Sequence, residues 1–173
     1  MEMMILVDEN DKQTGIMEKM ETHRRGLLHR AFSGFVFDED KLLIQQRASG
    51  KYHNPNIWAN TVCSHPIEGE SIVDAVKRRL NEELGFTEDF QEFDSFVYRA
   101  ECAANGLIEH ELDHVCVGKY SGHEIRQNPD EVQNHRWVTR AELEKEISEN
   151  PDRFSYWLKE ILKRNAKDFP WHD

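Results

Sequence analysis

The sequence has no long hydrophobic run and only three cysteines. No segment approaches the roughly 20 apolar residues that span a bilayer, so no membrane partner is expected. The opening MEMMILVDEN has no basic start and no small-residue cleavage site, and a signal peptide is not predicted. An odd, sparse cysteine count does not indicate a disulfide framework. A reducing, cytoplasmic compartment is therefore expected.

The sequence also lacks an excess of basic residues, with a formal net charge of −11 at pH 7. Nucleic-acid backbones are bound by basic faces that displace counterions, so a nucleic-acid partner is not expected. A phosphorylated small molecule stays compatible, because a few local cations and a bound metal can outweigh the global field. The 173 residues fit one domain, 1–173, and a monomer is compatible with the sequence.

Extended segments and a few helices alternate along the chain. Strands are predicted at residues 3–7, 32–37, 42–46, 90–100, 108–120 and 135–138, with a short extended piece at TVCSH. Turn residues fill positions 8–15. Helices are predicted at residues 71–84, after the capping box TRAE, and through WLKEILKRN. Hairpin-linked strands with a few helices indicate an α+β fold with mixed α/β/α layering.

The helix at residues 71–84 carries two charges close to its apolar face. Its apolar residues fall within one arc of about 120°, and Arg79 and Glu83 lie at the edge of that arc. An i,i+4 salt bridge at the core boundary explains the pair. With a diphosphate nearby, Arg79 could instead bind phosphate oxygens while Glu83 holds a hard divalent cation. The helix alone leaves both interpretations open.

Histidine and carboxylate side chains recur at spacings that suit metal ligands. The candidates are His23, His29, His65, Glu109 and Glu111, with Cys63 beside them. Residues two apart in an extended segment share a face, as Cys63 with His65 and Glu109 with Glu111. Three imidazoles with two carboxylates suit a divalent ion such as zinc or manganese. Each residue alone has an ordinary structural explanation, and only the whole set favours a site.

The segment SHPIEGESIVDAVKRRLNEELGF resembles the Nudix box, a loop–helix–loop that binds a metal diphosphate. The matching positions are Glu70, Arg78, Glu82, Glu83, Gly85 and Phe86. Ser64 replaces the first glycine, and Arg79 stands where a Nudix hydrolase carries a metal-binding glutamate. A cation in place of an acid removes a metal ligand. The departure therefore disfavours hydrolysis but not diphosphate binding.

A wider set of motifs resembles the type I isopentenyl diphosphate isomerases. The motifs are THRRGLLHRAFS, QQRASGKYHNPNIWANTVCSHP, RRLNEELG, FVYRA, GLIEHE and FSYW, in family order and over most of the chain. The resemblance implies a Nudix-like sandwich of β-sheets flanked by helices. It also implies interconversion of isopentenyl and dimethylallyl diphosphate, a small isoprenoid diphosphate being the only partner required.

The same resemblance implies roles for individual residues. The ligands of one Mn²⁺ or Zn²⁺ (or Mg²⁺) would be His23, His29, His65, Glu109 and Glu111. Cys63 and Glu111 would face opposite sides of the alkene, with Tyr98 beside Glu111. One group would deliver a proton and the other would remove one. Trp157 would stabilise the resulting carbocation with its indole face.

The diphosphate end of the substrate would be bound by cations that are scattered in sequence. These are Lys19, Arg47, Lys51 and Arg79, with a Mg²⁺ held partly by Glu83. For Lys19, an exposed lysine at the end of a strand is an equal alternative. Surface exposure is also an alternative for Arg47 and Lys51, although both lie in a matching motif.

Three other functions compete with the isomerase. A Nudix hydrolase would explain the helix but gives no task to Cys63, His23 or His29. A non-catalytic metal-binding module would use the same histidines without turnover. A cysteine hydrolase would use Cys63 as its nucleophile, but the adjacent His65 has poor geometry for a base and no orienting acid is evident.

Overall fold

The segment AFSGFVF forms the centre of the sheet. It lies in strand β3, His29–Asp38, and every side chain from position 31 to 37 is buried. A strand that is buried on both faces must have neighbours on both sides and layers above and below it. The computed structural model describes residues 1–171, and their arrangement meets this requirement.

The described residues form nine strands and four α-helices. The strands are β1 Met3–Val7, β2 Gln13–Glu18, β3 His29–Asp38, β4 Lys41–Arg47, β5 Trp58–Ala59, β6 Val62–Ser64, β7 Phe90–Glu101, β8 Ile108–Lys119 and β9 Val132–Thr139. The helices are α1 Lys19–Arg25, α2 Ile72–Leu84, α3 Arg140–Glu149 and α4 Tyr156–Asn165, with a 3₁₀ turn at Pro151–Arg153. All nine strands are hydrogen-bonded into one mixed sheet.

The pairing of β3 sets the position of the site. β3 runs parallel to β8, with His29 opposite Glu111, and antiparallel to β6, with Ser33 opposite Cys63. On its other side β8 pairs antiparallel with β7, which places Tyr98 opposite Glu111. Residues that are far apart in sequence therefore meet on four neighbouring strands.

Helices cover the sheet on two sides and enclose two apolar cores. In one core α2 packs Val76 and Leu80 against side chains of β3 that include Phe32. In the other α4 packs Leu158 and Ile161, together with Phe35 from the opposite face of β3. The predicted α+β class with helices flanking the sheet is confirmed. In the described part of the chain, no helix has the length and hydropathy that crossing a bilayer requires.

The helix ends follow the predicted capping signals. Ser71 accepts a hydrogen bond from the Asp74 amide at the start of α2, and Gly85 ends the helix in the left-handed region with φ of 76°. Thr139 and Glu142 form the predicted reciprocal capping box of α3. Such capping signals depend only on neighbouring residues, so they can be predicted without knowledge of tertiary contacts.

One prediction and one alternative interpretation in the first thirty residues were wrong. Residues 8–15 were predicted as a turn, but β2 begins at Gln13. Lys19 is not at the end of an exposed strand; it is the first residue of α1 and pairs with Glu2. β2 is an edge strand without alternating burial, and α1 has only seven residues and begins after Glu18, a less common capping residue. Neither element has a clear sequence pattern.

Candidate metal centre and active site

A cavity of about 480 Å³ opens where β3, β6, β7 and β8 meet the loop after β4. Its walls include twelve of the side chains that the sequence singles out. These are Lys19, His23, Arg47, Lys51, Cys63, His65, Arg79, Glu83, Tyr98, Glu109, Glu111 and Trp157. His29, the remaining candidate, is fully buried behind this wall, with its ring centroid 5.0 Å from that of His23.

The buried end of the cavity collects imidazoles and carboxylates. Ligand atoms of His23, His29, His65 and Glu111 all lie within 4.8 Å of one another. A second group, which shares His23, adds Glu109 and His53. The distance from His23 Nε2 to Glu109 Oε2 is 3.2 Å, and that from His65 Nε2 to Glu111 Oε1 is also 3.2 Å.

Backbone carbonyls fix the tautomers of two of these histidines. His23 Nδ1 lies 2.6 Å from the carbonyl of Lys19, and His29 Nδ1 lies 2.9 Å from that of Leu27. A carbonyl can only accept, so each Nδ1 carries the hydrogen. The lone pair on each Nε2 is therefore directed into the cluster. Imidazoles that are held in this way by backbone carbonyls are typical of metal sites.

The spacing and the unpaired atoms of this cluster fit one divalent cation. Ligands about 2.1 Å from a metal lie about 3.0 Å apart in octahedral and about 3.4 Å apart in tetrahedral geometry. The two nitrogen–oxygen distances of 3.2 Å, from His23 to Glu109 and from His65 to Glu111, fall within this range. His29 Nε2 is buried without a hydrogen-bond partner, 3.6 Å from Glu111 Oε1. A buried polar atom without a partner is costly, and coordination would satisfy it.

The electrostatics of the cluster also favour coordination. Burial would raise the pKa of Glu109, but His23 and His53 hold it well below its usual value. Burial lowers the pKa of His65 despite its contact with Glu111. For His23 burial acts in the same direction, but the contact with Glu109 outweighs it and raises the pKa, so a metal would have to displace a proton there. Ionised carboxylates and neutral imidazoles are the protonation states that bind divalent metals.

Cys63 and Tyr98 lie at the cavity wall next to this cluster. Burial, reinforced by the charges of Glu83 and Glu111, raises the pKa of the Cys63 thiol to about 12 against the opposing effect of Arg47. The Tyr98 hydroxyl donates to Glu111 Oε2 at 2.7 Å. Burial and then Glu111 raise the pKa of Tyr98 well above 10, so this donor keeps its proton at neutral pH.

Trp157 closes the cavity from α4 and is only 6% exposed. Its Nε1–H donates to Asn60 Oδ1 at 3.0 Å, and Asn60 in turn donates to the backbone carbonyls of Gly34 and Val62. The indole orientation is therefore tied to the central strands. The guanidinium of Arg47 lies 5.9 Å from the ring centroid.

Three of the four predicted cations of the cavity, Lys19, Lys51 and Arg79, are paired with acidic side chains. Arg79 donates to Glu82 and Glu83 at 2.6 Å each, so the predicted i,i+4 bridge is present. Glu131 pairs with Lys51 and lies 3.4 Å from Arg79. The four predicted cations, Lys19, Arg47, Lys51 and Arg79, all line the cavity, although they come from four separate segments.

Glu83 is buried between two donors on the floor of this part of the cavity. Its Oε2 accepts from Gln45 Nε2 at 2.7 Å, and its Oε1 accepts from Arg79. The Arg78 guanidinium donates two hydrogen bonds to the Glu70 carboxylate, at 2.8 and 2.9 Å, and these bonds close the loop before α2. Arg79 and Glu83 therefore face the cavity, whereas Arg78, which also lines it, holds the loop before α2 through Glu70.

Sequence reasoning missed several residues of the site. They are His53, Asn60, Gln45 and Glu131. His53 lies in the segment KYHNPN, where Pro55 and two asparagines indicate only a loop. An irregular loop gives a side chain no periodic face, so its direction could not be predicted.

Comparisons with known proteins agree with this fold. A NUDIX domain matches residues 27–158. A crystal structure of a Deinococcus radiodurans protein has a TM-score of 0.75 at 21% identity, covering 94% of this chain and 98% of that one. The MutT protein of Methanosarcina mazei has a TM-score of 0.64 at 17% identity, covering 82% and 94%. The domain match therefore defines the class of protein, a NUDIX domain, and the two structures share its fold.

Curated relatives are similar over nearly the whole chain. Isopentenyl-diphosphate Delta-isomerase 2 of Aromatoleum aromaticum is 47% identical, over 92% of this chain and 84% of the relative. Isopentenyl-diphosphate Delta-isomerase of Serratia proteamaculans is 44% identical, over 94% and 90%. The chain therefore belongs to the isopentenyl-diphosphate Delta-isomerases, within the NUDIX domain proteins.

Proposed function

We propose that this chain interconverts isopentenyl diphosphate and dimethylallyl diphosphate by adding a proton to the alkene and removing another. The observation that carries the proposal is one cavity that contains both Cys63 and the Tyr98-bonded carboxylate of Glu111. β6 and β8 flank β3, so the thiol and the carboxylate approach the cavity from different strands. An alkene between them would meet an acidic and a basic group.

The protonation states of the two groups suit a proton relay. The raised pKa of Cys63 keeps its proton on sulfur at neutral pH. Burial and Glu109 act to raise the pKa of Glu111, but His29 and His65 hold it below its usual value, so the carboxylate can accept a proton. Moving a double bond needs one protonated group to donate a proton and one unprotonated group to accept a proton at the start of the reaction. The reverse reaction exchanges their roles.

The surroundings suit a carbocation. Protonation of this alkene gives a tertiary cation, which water would capture. Tyr98 and Trp157 are each 6% exposed and Glu111 is 8% exposed, so little solvent reaches this end. The indole of Trp157 offers its negative face to a cation. We propose that the Asn60 bond keeps that face directed at the substrate.

The imidazole and carboxylate cluster is the proposed site of one resident divalent ion, Mn²⁺ or Zn²⁺ (or Mg²⁺). The residues that would hold it are His23, His29, His65, Glu109 and Glu111. When bound, the ion would orient the Glu111 carboxylate and change its acidity. Hard oxygen ligands and borderline nitrogen ligands occur together here, which suits these metals.

The cationic end of the cavity is the proposed diphosphate site. Lys19, Arg47, Lys51 and Arg79 would bind phosphate oxygens, and Glu83 would share a substrate-bound Mg²⁺. The ion pairs with Glu131 would open when a diphosphate competes for Lys51 and Arg79. Because Glu83 is buried next to Arg79, one short segment of α2 would contact both the metal and the phosphate.

The unit of activity that we propose is the single domain 1–173, acting as a monomer in the cytoplasm, where a free thiol such as Cys63 stays reduced. Positions 172 and 173 of that range lie outside the described residues. Gel filtration with light scattering tests the monomer, and a dimer mass would contradict it.

One assay separates this function from its rivals. Purified protein with Mg²⁺ and isopentenyl diphosphate should give dimethylallyl diphosphate by proton NMR, with both phosphates retained by phosphorus NMR. Release of phosphate or of a monophosphate would instead indicate a Nudix hydrolase. Metal binding without any change of the substrate would indicate a non-catalytic module.

A further inference from the structure

His53 is a buried histidine of the loop 48–57 that none of the roles above uses. It is 5% exposed, and neither ring nitrogen has a hydrogen-bond partner. Its Nε2 lies 2.7 Å from Glu109 Oε1, a close contact between an imidazole nitrogen and a carboxylate oxygen. A cation bound by both atoms would hold them about 3.0 Å apart, which a small shift of either side chain would supply.

The position of His53 relative to the other imidazoles supports the same interpretation. Its ring centroid is 5.1 Å from that of His23, the same spacing that separates His29 from His65. His23, His53 and Glu109 form a group whose ligand atoms lie within 4.8 Å of one another. His53 therefore stands on the Glu109 side of the cluster, across from the His29 and Glu111 side.

The loop that carries His53 is anchored to the cavity by its backbone. Arg47 donates from Nη2 to the His53 carbonyl at 2.9 Å and from Nε to the Asn54 carbonyl at 3.2 Å. Asn105, in the turn between β7 and β8, donates to the Tyr52 carbonyl at 3.0 Å. Lys51, a proposed diphosphate ligand, lies two residues before His53 in the same loop.

We propose that His53 is a further ligand of the metal centre and that it couples metal binding to the order of the loop 48–57. The inference rests on the proposed metal centre but not on the isomerase activity. Coordination would fix His53, and with it the backbone that presents Lys51 to the diphosphate. Binding of the resident ion would then prepare the diphosphate end of the cavity before substrate arrives.

The test measures Co²⁺ affinity by chelator competition in the full chain, with no substrate present. His53→Ala and the bulkier His53→Gln should each bind Co²⁺ about ten- to a hundredfold more weakly than the unaltered chain. His135→Ala, a half-buried histidine of β9 that contacts Gln127, is the matched control and should bind normally. Thermal unfolding of each variant checks that the fold is retained.

Hydrogen exchange distinguishes a ligand from a neighbour. Co²⁺ should slow amide exchange at residues 51–54 in the unaltered chain but not in His53→Gln. Unchanged Co²⁺ affinity of His53→Gln, or equal protection of the loop in both proteins, would overturn the inference and leave the proposed function intact. If the unaltered chain itself binds no Co²⁺, the metal centre of the proposed function fails together with it.

Discussion

At the scale of single residues, Glu111 is defined by what contacts each of its two oxygens. Oε1 lies 3.2 Å from His65 Nε2 and 3.6 Å from His29 Nε2, whereas Oε2 accepts from the Tyr98 hydroxyl at 2.7 Å. One oxygen therefore faces the imidazole cluster, and the other is held by a protonated phenol. A side chain fixed at both oxygens loses little freedom when a substrate arrives.

Removing either proton-handling group should abolish isomerisation without unfolding the protein. We expect Cys63→Ala and Glu111→Gln to lower kcat by at least about 10²-fold, the usual contribution of a positioned acid or base. Cys102→Ala, which removes a thiol that is not among the residues lining the cavity, should keep normal turnover. Steady-state kinetics measure both. Near-normal turnover of either site variant would refute the two-sided relay.

Arg79→Glu should weaken diphosphate binding. The change replaces a cation of the cavity with an acid. The new carboxylate would lie beside Glu82, Glu83 and Glu131, and this acidic group would attract a divalent ion rather than a phosphate. We expect KM for isopentenyl diphosphate to rise at least about tenfold, roughly 1.4 kcal/mol of binding.

The matched control for Arg79→Glu is Lys77→Glu, on the outer side of α2, where Lys77 pairs with the exposed Asp89. That variant should leave KM unchanged. An unaltered KM in Arg79→Glu would remove Arg79 from the site. Phosphate release should be followed in the same samples, because the substitution returns the glutamate that a Nudix hydrolase carries at this position.

At the scale of elements, the contact between β3, β6 and α2 fixes the strand that carries Cys63. A Cβ built on Gly34 would lie 2.7 Å from Val62 Cγ1 and 2.9 Å from Val76 Cγ1, both fully buried. Only glycine lets β6 and α2 approach β3 this closely. Gly34 is thus a packing requirement of the site, although it touches no candidate ligand.

Gly34→Ala should destabilise the fold by about 1–3 kcal/mol, because the added methyl overpacks a closed core. Denaturant unfolding measures the loss. Gly50→Ala, at a position where nothing lies within 4 Å of the new Cβ, should lose no stability. If Gly34→Ala unfolds at the same denaturant concentration as the unaltered chain, the close packing of these three elements is not required.

The sequence correctly predicts the elements whose signals are local. The caps of α2 and α3 and the long strands β7 and β8 carry such signals, because capping and alternation depend on neighbouring residues. It missed α1, which presents His23, and the direction of His53. Both depend on tertiary packing, since a seven-residue helix and an irregular loop have no pattern of their own.

At the scale of the whole molecule, the metal cluster joins segments from most of the chain. α1 contributes His23, β3 contributes His29, the segment after β6 contributes His65, and β8 contributes both carboxylates. Family resemblance identified this set, but sequence alone could not show that four separate segments converge. A ligand bound at such a junction stabilises every element that supplies a side chain.

Metal should therefore stabilise the whole fold. At a hundred times the dissociation constant, binding adds about 2.7 kcal/mol, which corresponds to a rise in Tm of about 5–10 °C for a chain of this size. Mn²⁺ or Zn²⁺ added to chelator-treated protein should give this shift in calorimetry, and chelator should reverse it. His29→Ala should lose the shift. An unchanged Tm with every divalent ion would contradict the proposed metal centre.

The central claim is that the proton added to the alkene and the proton removed from it pass through different groups. The most direct test follows the reaction in D₂O with Mg²⁺ and isopentenyl diphosphate and locates deuterium in the product by NMR. Two groups that exchange with solvent between turnovers should place one deuterium in a methyl group of each dimethylallyl diphosphate formed. Product without deuterium, formed at a normal rate, would mean that one hydrogen returns internally, and would contradict the claim.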